Sequence, residues 1–139
     1  MAYATQADME KRYGEHLLVE LTDRAPEPAG AIDTAILSAA LDDASALIDS
    51  YAGRRYQLPI IPAPIVLRNV CCALAFFDLH RGRYAEETRV AYDDALRTLT
   101  NISTGTIKLD VAGTEPQSAG AQIGYSEAPR QFSRKKGEW

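Results

Sequence analysis

The stretch from Leu47 to Leu79, LIDSYAGRRYQLPIIPAPIVLRNVCCALAFFDL, constrains this chain more than any other. A helix with one polar face stops at Gly53, and the basic-aromatic step Arg54-Arg55-Tyr56 follows. Pro59, Pro62 and Pro64 then hold the next residues extended, because proline removes a backbone donor and disfavours helix in the residue before it. An almost entirely apolar helix begins at Pro64, which suits a first helical turn, and runs to about Arg81 before Gly82. Its apolar residues surround most of its circumference, so it belongs at the centre of a bundle. The order describes a packed helical scaffold with a stiff, exposed corner.

The flanking sequence supplies the rest of the bundle. Thr5 caps a short helix that Gly14 ends near Tyr13, and a second covers Glu15 to Leu21 with Leu17, Leu18 and Leu21 inward. The loop TDRAPEPAG follows. A long helix starts near Asp33 or Thr34, with Ile36, Leu37, Ala40, Leu41, Ala44, Leu47, Ile48 and Tyr51 at three- and four-residue spacing. Asp42, Ser45 and Asp49 mark its opposite, solvated face. The last helix spans about Glu86 to Ser103 and buries Tyr92, Ala95, Leu96, Leu99 and Ile102.

After Gly105 the pattern changes. Thr106-Ile107-Lys108-Leu109-Asp110-Val111 alternates polar and apolar, the mark of a strand with one buried face. A strand needs backbone partners; a strand from another subunit, a small hairpin and a lone surface strand are all compatible with the sequence. Residues 112–129 read as a linker, and RQFSRKKGEW closes the chain with aromatics beside four positive charges. The expected fold is mainly α: a small bundle of four to five helices over residues 1–104. A strand, linker and extended C-terminal arm occupy residues 105–139.

Composition excludes several function classes. Of 139 residues, the first sixty carry ten acids and five Lys/Arg, and the remainder nine acids and ten Lys/Arg. The net charge of −4 therefore divides into an acidic first half and a slightly basic second half. Wrapping nucleic acid needs a basic footprint that this balance does not provide. The second short helix contributes Glu15, His16 and Glu20 and no Arg or Lys, so it makes a poor reading helix. Cys71 and Cys72 are neighbours on the apolar helix, about 100° apart, and suit two small buried hydrophobes rather than a disulfide or metal pair. His16 and His80 lie outside any metal-ligand spacing, and no nucleophile elbow, phosphate loop or dinucleotide fingerprint occurs. No enzyme activity, cofactor or metal is expected. The N-terminus lacks the apolar core of a signal peptide, and the run Ile65–Phe77 is too short and polar to span a bilayer, so a soluble, cytoplasmic protein is expected.

Two places read as interaction surfaces. Arg54, Arg55 and Tyr56 precede the corner, although cations at a helix C-terminus also explain the arginines. In the arm, Arg130, Phe132, Arg134, Lys135, Lys136 and Trp139 combine the residue types that anchor interfaces. Ile107 and Leu109 of the strand join them as candidates for pairing with a neighbour.

Several motifs carry a family resemblance. They are Tyr3-x-Thr5-x-x-Asp8-Met9-x-x-Arg12-Tyr13-Gly14, Ile48-Asp49-x-Tyr51, Arg55-Tyr56-x-Leu58-Pro59 and Pro62-Ala63-Pro64, with Arg130-x-Phe132 matching more loosely. Their order and spacing over residues 3–110 resemble a family found in Mu-like phages and prophages. That family is similar in organisation to the head–tail adaptors, also called connector or head-completion proteins, of tailed phages. The resemblance implies a homo-oligomeric ring, twelve-fold, below the portal protein, with a tail, stopper or terminator protein on its far side. Genomic DNA would pass through the lumen without specific binding, and the protein would reside at the head–tail junction of the virion. A small DNA-binding or DNA-packaging accessory protein is the alternative expectation.

Overall fold

The computed structural model describes residues 2–111, which form five helices: α1 (Gln6–Tyr13), α2 (Glu15–Thr22), α3 (Thr34–Ala52), α4 (Ile65–Leu79) and α5 (Glu86–Thr104). Each begins or ends on a local signal. Thr5 and Asp8 exchange side-chain and backbone hydrogen bonds in a capping box at the start of α1. Gly14, at φ 88°, closes α1 and opens α2 in one residue. Asp33 caps α3 by accepting from the amides of Ala35 and Ile36. Thr22 ties α2 to α3: its hydroxyl donates to the Leu18 carbonyl at 2.7 Å and accepts from the Asp33 amide at 3.0 Å.

The core lies between α3, α4 and α5, with α4 packed against both of the others and α1 and α2 laid on α3. Eight of the fifteen residues of α4 are buried, consistent with its near-continuous apolar surface. Cys71 and Cys72 are among them, both as free thiols. Stacked rings join the elements: Tyr13 lies on Phe76 with centroids 3.8 Å apart, and Phe77 on Tyr92 at 4.1 Å. Among the described residues, no helix is long and apolar enough to cross a membrane.

Two expectations need correction. Ser45 and Asp49 do not belong to the solvated face of α3 as Asp42 does. Ser45 is 3% exposed; its hydroxyl donates to the Leu41 carbonyl and accepts from the Tyr3 amide at 3.0 Å. The Asp49 carboxylate accepts from the Tyr3 hydroxyl, which in turn accepts from the Ile60 amide at 3.4 Å. The helical spacing was sound, but the N-terminal segment covers this flank and offers it polar partners. The second correction concerns residues 106–111, which form no strand among the described residues. The expected alternation is nevertheless present in the packing: Leu109 and Val111 are buried, Ile107 is half-buried, and Thr106, Lys108 and Asp110 are exposed. The segment is held by the side of the bundle instead of by a ladder.

The Tyr3 network gives the bundle an alkaline weak point. Burial, and then the Asp49 carboxylate, push the Tyr3 phenol up to about 12. A folded-state pKa above the ordinary value of about 10 adds stability that is complete below pH 10 and lost as pH rises toward 12. Burial raises the thiols of Cys71 and Cys72 as well, the latter to about 11, and these act in the same direction. Urea midpoints measured from pH 8 upward should therefore begin to fall near pH 9, where the unfolded thiols ionise, and fall further above pH 10, and Tyr3→Phe should flatten the part above pH 10. An identical alkaline profile in wild type and Tyr3→Phe would contradict the network.

Candidate protein-interaction site

The corner between α3 and α4 is built from the end of α5. Any helix leaves its last four carbonyls without intrahelical donors. In α5 these belong to Asn101, Ile102, Ser103 and Thr104, and every one is met. The Ile107 amide donates to Asn101 at 3.1 Å and the Gly105 amide to Ile102 at 3.2 Å. Arg55 supplies the other two, with Nε to the Ser103 carbonyl at 3.1 Å and Nη2 to the Thr104 carbonyl at 2.8 Å. A cation at this terminus is also favoured by the helix dipole. Gly105, at φ 83°, lies directly against the guanidinium, where a Cβ would collide with Arg55.

Tyr56 completes the clasp. It is 2% exposed, and its hydroxyl accepts from the Leu109 amide at 2.8 Å. On the other flank the Tyr3 hydroxyl takes the Ile60 amide, and Ile60 is itself buried. Two tyrosine hydroxyls thus fix the chain at Tyr56 and at Ile60, on either side of Pro59. Leu58–Pro59 and Ile61–Pro62 are cis peptides.

What this frame holds outward is apolar. Leu58 is 43% exposed, Ile61 56%, Ile65 71% and Val66 40%, four large hydrophobic side chains within residues 58–66. Exposed apolar groups concentrated in this way mark a contact surface more often than scattered ones do. A hollow of about 150 Å³ sits beside them, lined by Ala2, Tyr3 and residues 59–63.

The other end of the bundle has different chemistry. Arg24, His80, Arg81 and Arg83 line a depression of about 570 Å³ together with Glu20 and Leu21. Arg24 donates to the Leu79 carbonyl at 2.9 Å, and His80 Nδ1 lies 2.7 Å from the Phe76 carbonyl, so both serve the end of α4. Arg81 turns the chain at φ 51°. His16 is exposed and lies 3.4 Å from Glu20. Among the described residues, no group of three or more His, Cys, Asp or Glu could hold a metal ion.

The structure redistributes the candidates named from sequence. Arg54 is exposed at the corner. Arg55, Tyr56, Ile107 and Leu109 are instead drawn together into the clasp, with Ile107 and Leu109 packed on the chain's own core. Arg130, Phe132, Arg134, Lys135, Lys136 and Trp139 lie outside the described residues. Leu58 and Ile61 fall within the corner that the sequence marks as exposed, although it does not single them out there; Ile65 and Val66 it assigns to the apolar helix. For Leu58 and Ile61 the available signal is apolar residues alternating with prolines outside any regular element.

The clasp generates a stability prediction. Arg55→Ala should cost about 1 kcal/mol by stranding two carbonyls, and Gly105→Ala about 1–2 kcal/mol from its left-handed backbone. The two losses should sum to less than their total in the double variant, because removing Arg55 clears the space that the added methyl needs. Additive losses in urea unfolding would show that Arg55 does not occupy this position.

Comparison with known proteins agrees with the sequence motifs. Residues 3–125 match the family described as Bacteriophage Mu, Gp36. The chain is 36% identical over 141 aligned residues to Gene product J of Escherichia phage Mu, covering 98% of this chain and 97% of that protein. It is 37% identical over 110 residues to the Mu-like prophage FluMu protein gp36 of Haemophilus influenzae, covering 79% and 77% respectively. The capping box at Thr5, the Tyr3 anchor and the corner all fall within the matched span, and the chain belongs to the Bacteriophage Mu Gp36 family.

Proposed function

We propose that this phage protein is a head–tail adaptor, a ring-forming subunit with no catalytic role. The ring, twelve-fold, would bind the portal protein on one side and a tail, stopper or terminator protein on the other, with genomic DNA passing through its lumen. The observation that carries the reading is the pinned corner. Hydrogen bonds at Tyr56 and Ile60 fix the chain around Leu58, and Ile61, Ile65 and Val66 follow directly into α4, so four large apolar side chains stay exposed where a covering partner would be favoured. The arginine-rich depression at the opposite end supplies a second surface of contrasting chemistry, as a subunit joining two different partners needs. Membership of a Mu phage family supports the setting. The net acidic chain is also compatible with a conduit, since weak repulsion keeps passing DNA from adhering.

Phage lysates made without the protein test the role. The expected outcome is DNA-filled heads and complete tails that remain unjoined, with joining restored by adding the purified chain. Heads lacking DNA, together with tight duplex binding that weakens steeply with salt, would support a DNA-packaging accessory protein instead.

The arm is tested separately. Deleting residues 126–139 removes Arg130, Phe132, Arg134, Lys135, Lys136 and Trp139. The shortened chain should melt as the full chain does yet fail to dock on heads. Infectious particles in normal yield would remove the arm from the contact surface.

A further inference from the structure

The outer face of α4 forms the floor of a groove between α1 and α5. Two depressions, of about 370 Å³ and 260 Å³, meet at Arg12 and Asn69. Lys11, Arg12 and Arg68 bring three cations to the first. Two carboxylates border the groove, and both are engaged. Asp8 is held by Thr5 and lies 3.9 Å from Arg68, and the Thr5 amide keeps it below the usual carboxylate range. Asp94 pairs with Arg97 at 3.4 Å. Among the described residues, Lys11 and Arg12 have no carboxylate within ion-pair distance, although Lys11 helps to lower the pKa of Asp8; Arg12 donates to the Asn69 side chain at 3.0 Å and lies beside the Tyr13 ring, 5.9 Å from its centroid.

The complementary surface is on α3. Its outer face presents Ser38, Ala39, Asp42, Asp43 and Ala46 to solvent. Asp42 and Asp43 make no hydrogen bond or ion pair among the described residues, and their neighbours are short enough to let another helix approach closely. The groove floor from Ile65 to Ala73 spans about 12 Å of helix, close to the length of α3 that carries this face. Because α3 and α4 pack against one another, their outer faces point to opposite sides of the subunit. A head-to-tail contact requires that placement, and repeating such a contact closes a ring.

We infer that the outer face of α3 of one copy seats in the α1–α4–α5 groove of the next, with Asp42 and Asp43 meeting Lys11, Arg12 and Arg68. The inference rests on the ring reading above and names its subunit interface. A contact made through exposed charges of this kind is weakened by salt.

Charge exchange in the full-length chain tests it. One variant carries Lys11→Glu and Arg68→Glu, the other Asp42→Lys and Asp43→Lys; all four positions are exposed, and thermal melting checks that both variants fold. Sedimentation velocity is measured for each protein alone, for their equimolar mixture, and for each with portal-bearing heads. Wild type should assemble, and each variant alone should associate about tenfold more weakly or worse. The mixture should recover, because alternating copies pair each altered surface with one of opposite charge. Variants that assemble as wild type does, or a mixture that fails to recover, overturn this interface and leave the ring reading standing. Wild type that stays monomeric both alone and with heads overturns the ring reading itself.

Discussion

Four carbonyls at the end of α5 decide the shape of the corner. Two of them, those of Ser103 and Thr104, face the region just after α3, and pairing them with a cation is worth more than leaving them to solvent. Backbone turns at Gly105 and Ile107 satisfy the other two, and the Ser103 and Thr104 carbonyls lie side by side where a forked donor meets both. Arg55 is that donor, which is why the residues after Gly53 fold back across α5 before the prolines begin. With Arg55 seated, Tyr56 is buried beside it and captures the chain leaving α5 at Leu109. The prolines then have one direction in which to run.

The consequence is a bundle whose two ends differ in kind. One end shows fixed apolar side chains at a proline corner, and the other shows guanidiniums around the end of α4. Between them, α1, α4 and α5 leave a groove lined by Lys11, Arg12 and Arg68, and α3 exposes Asp42 and Asp43, which are unpaired among the described residues, on the far side. These separations suit a subunit that touches unlike neighbours in several directions at once. The thiols of Cys71 and Cys72 lie inside the core, and burial raises the pKa of both.

Much of the architecture was legible in the sequence because its signals are local. Thr5, Asp33, Gly14 and Gly53 mark helix ends through short-range chemistry, and the spacing in α3 and α5 identifies their buried stripes. What the sequence concealed depends on contacts between distant residues. Ser45 and Asp49 look solvated by spacing alone, and only the return of Tyr3, more than forty positions away, turns them into an internal anchor. Ile107 and Leu109 alternate as a strand would, yet the Asn101 carbonyl and the Tyr56 hydroxyl take their amides and direct them onto the core. The corner itself was legible as exposed, but the outward turn of Ile65 and Val66 at the start of an otherwise apolar helix was not.

A cryo-electron microscopy map of the neck of a Mu-type particle would bring these elements together in one observation. The account predicts a closed ring of this chain next to the portal, with Leu58, Ile61, Ile65 and Val66 covered by a neighbouring protein. A neck without this chain, or a ring in which the corner is exposed to solvent on every subunit, would contradict it.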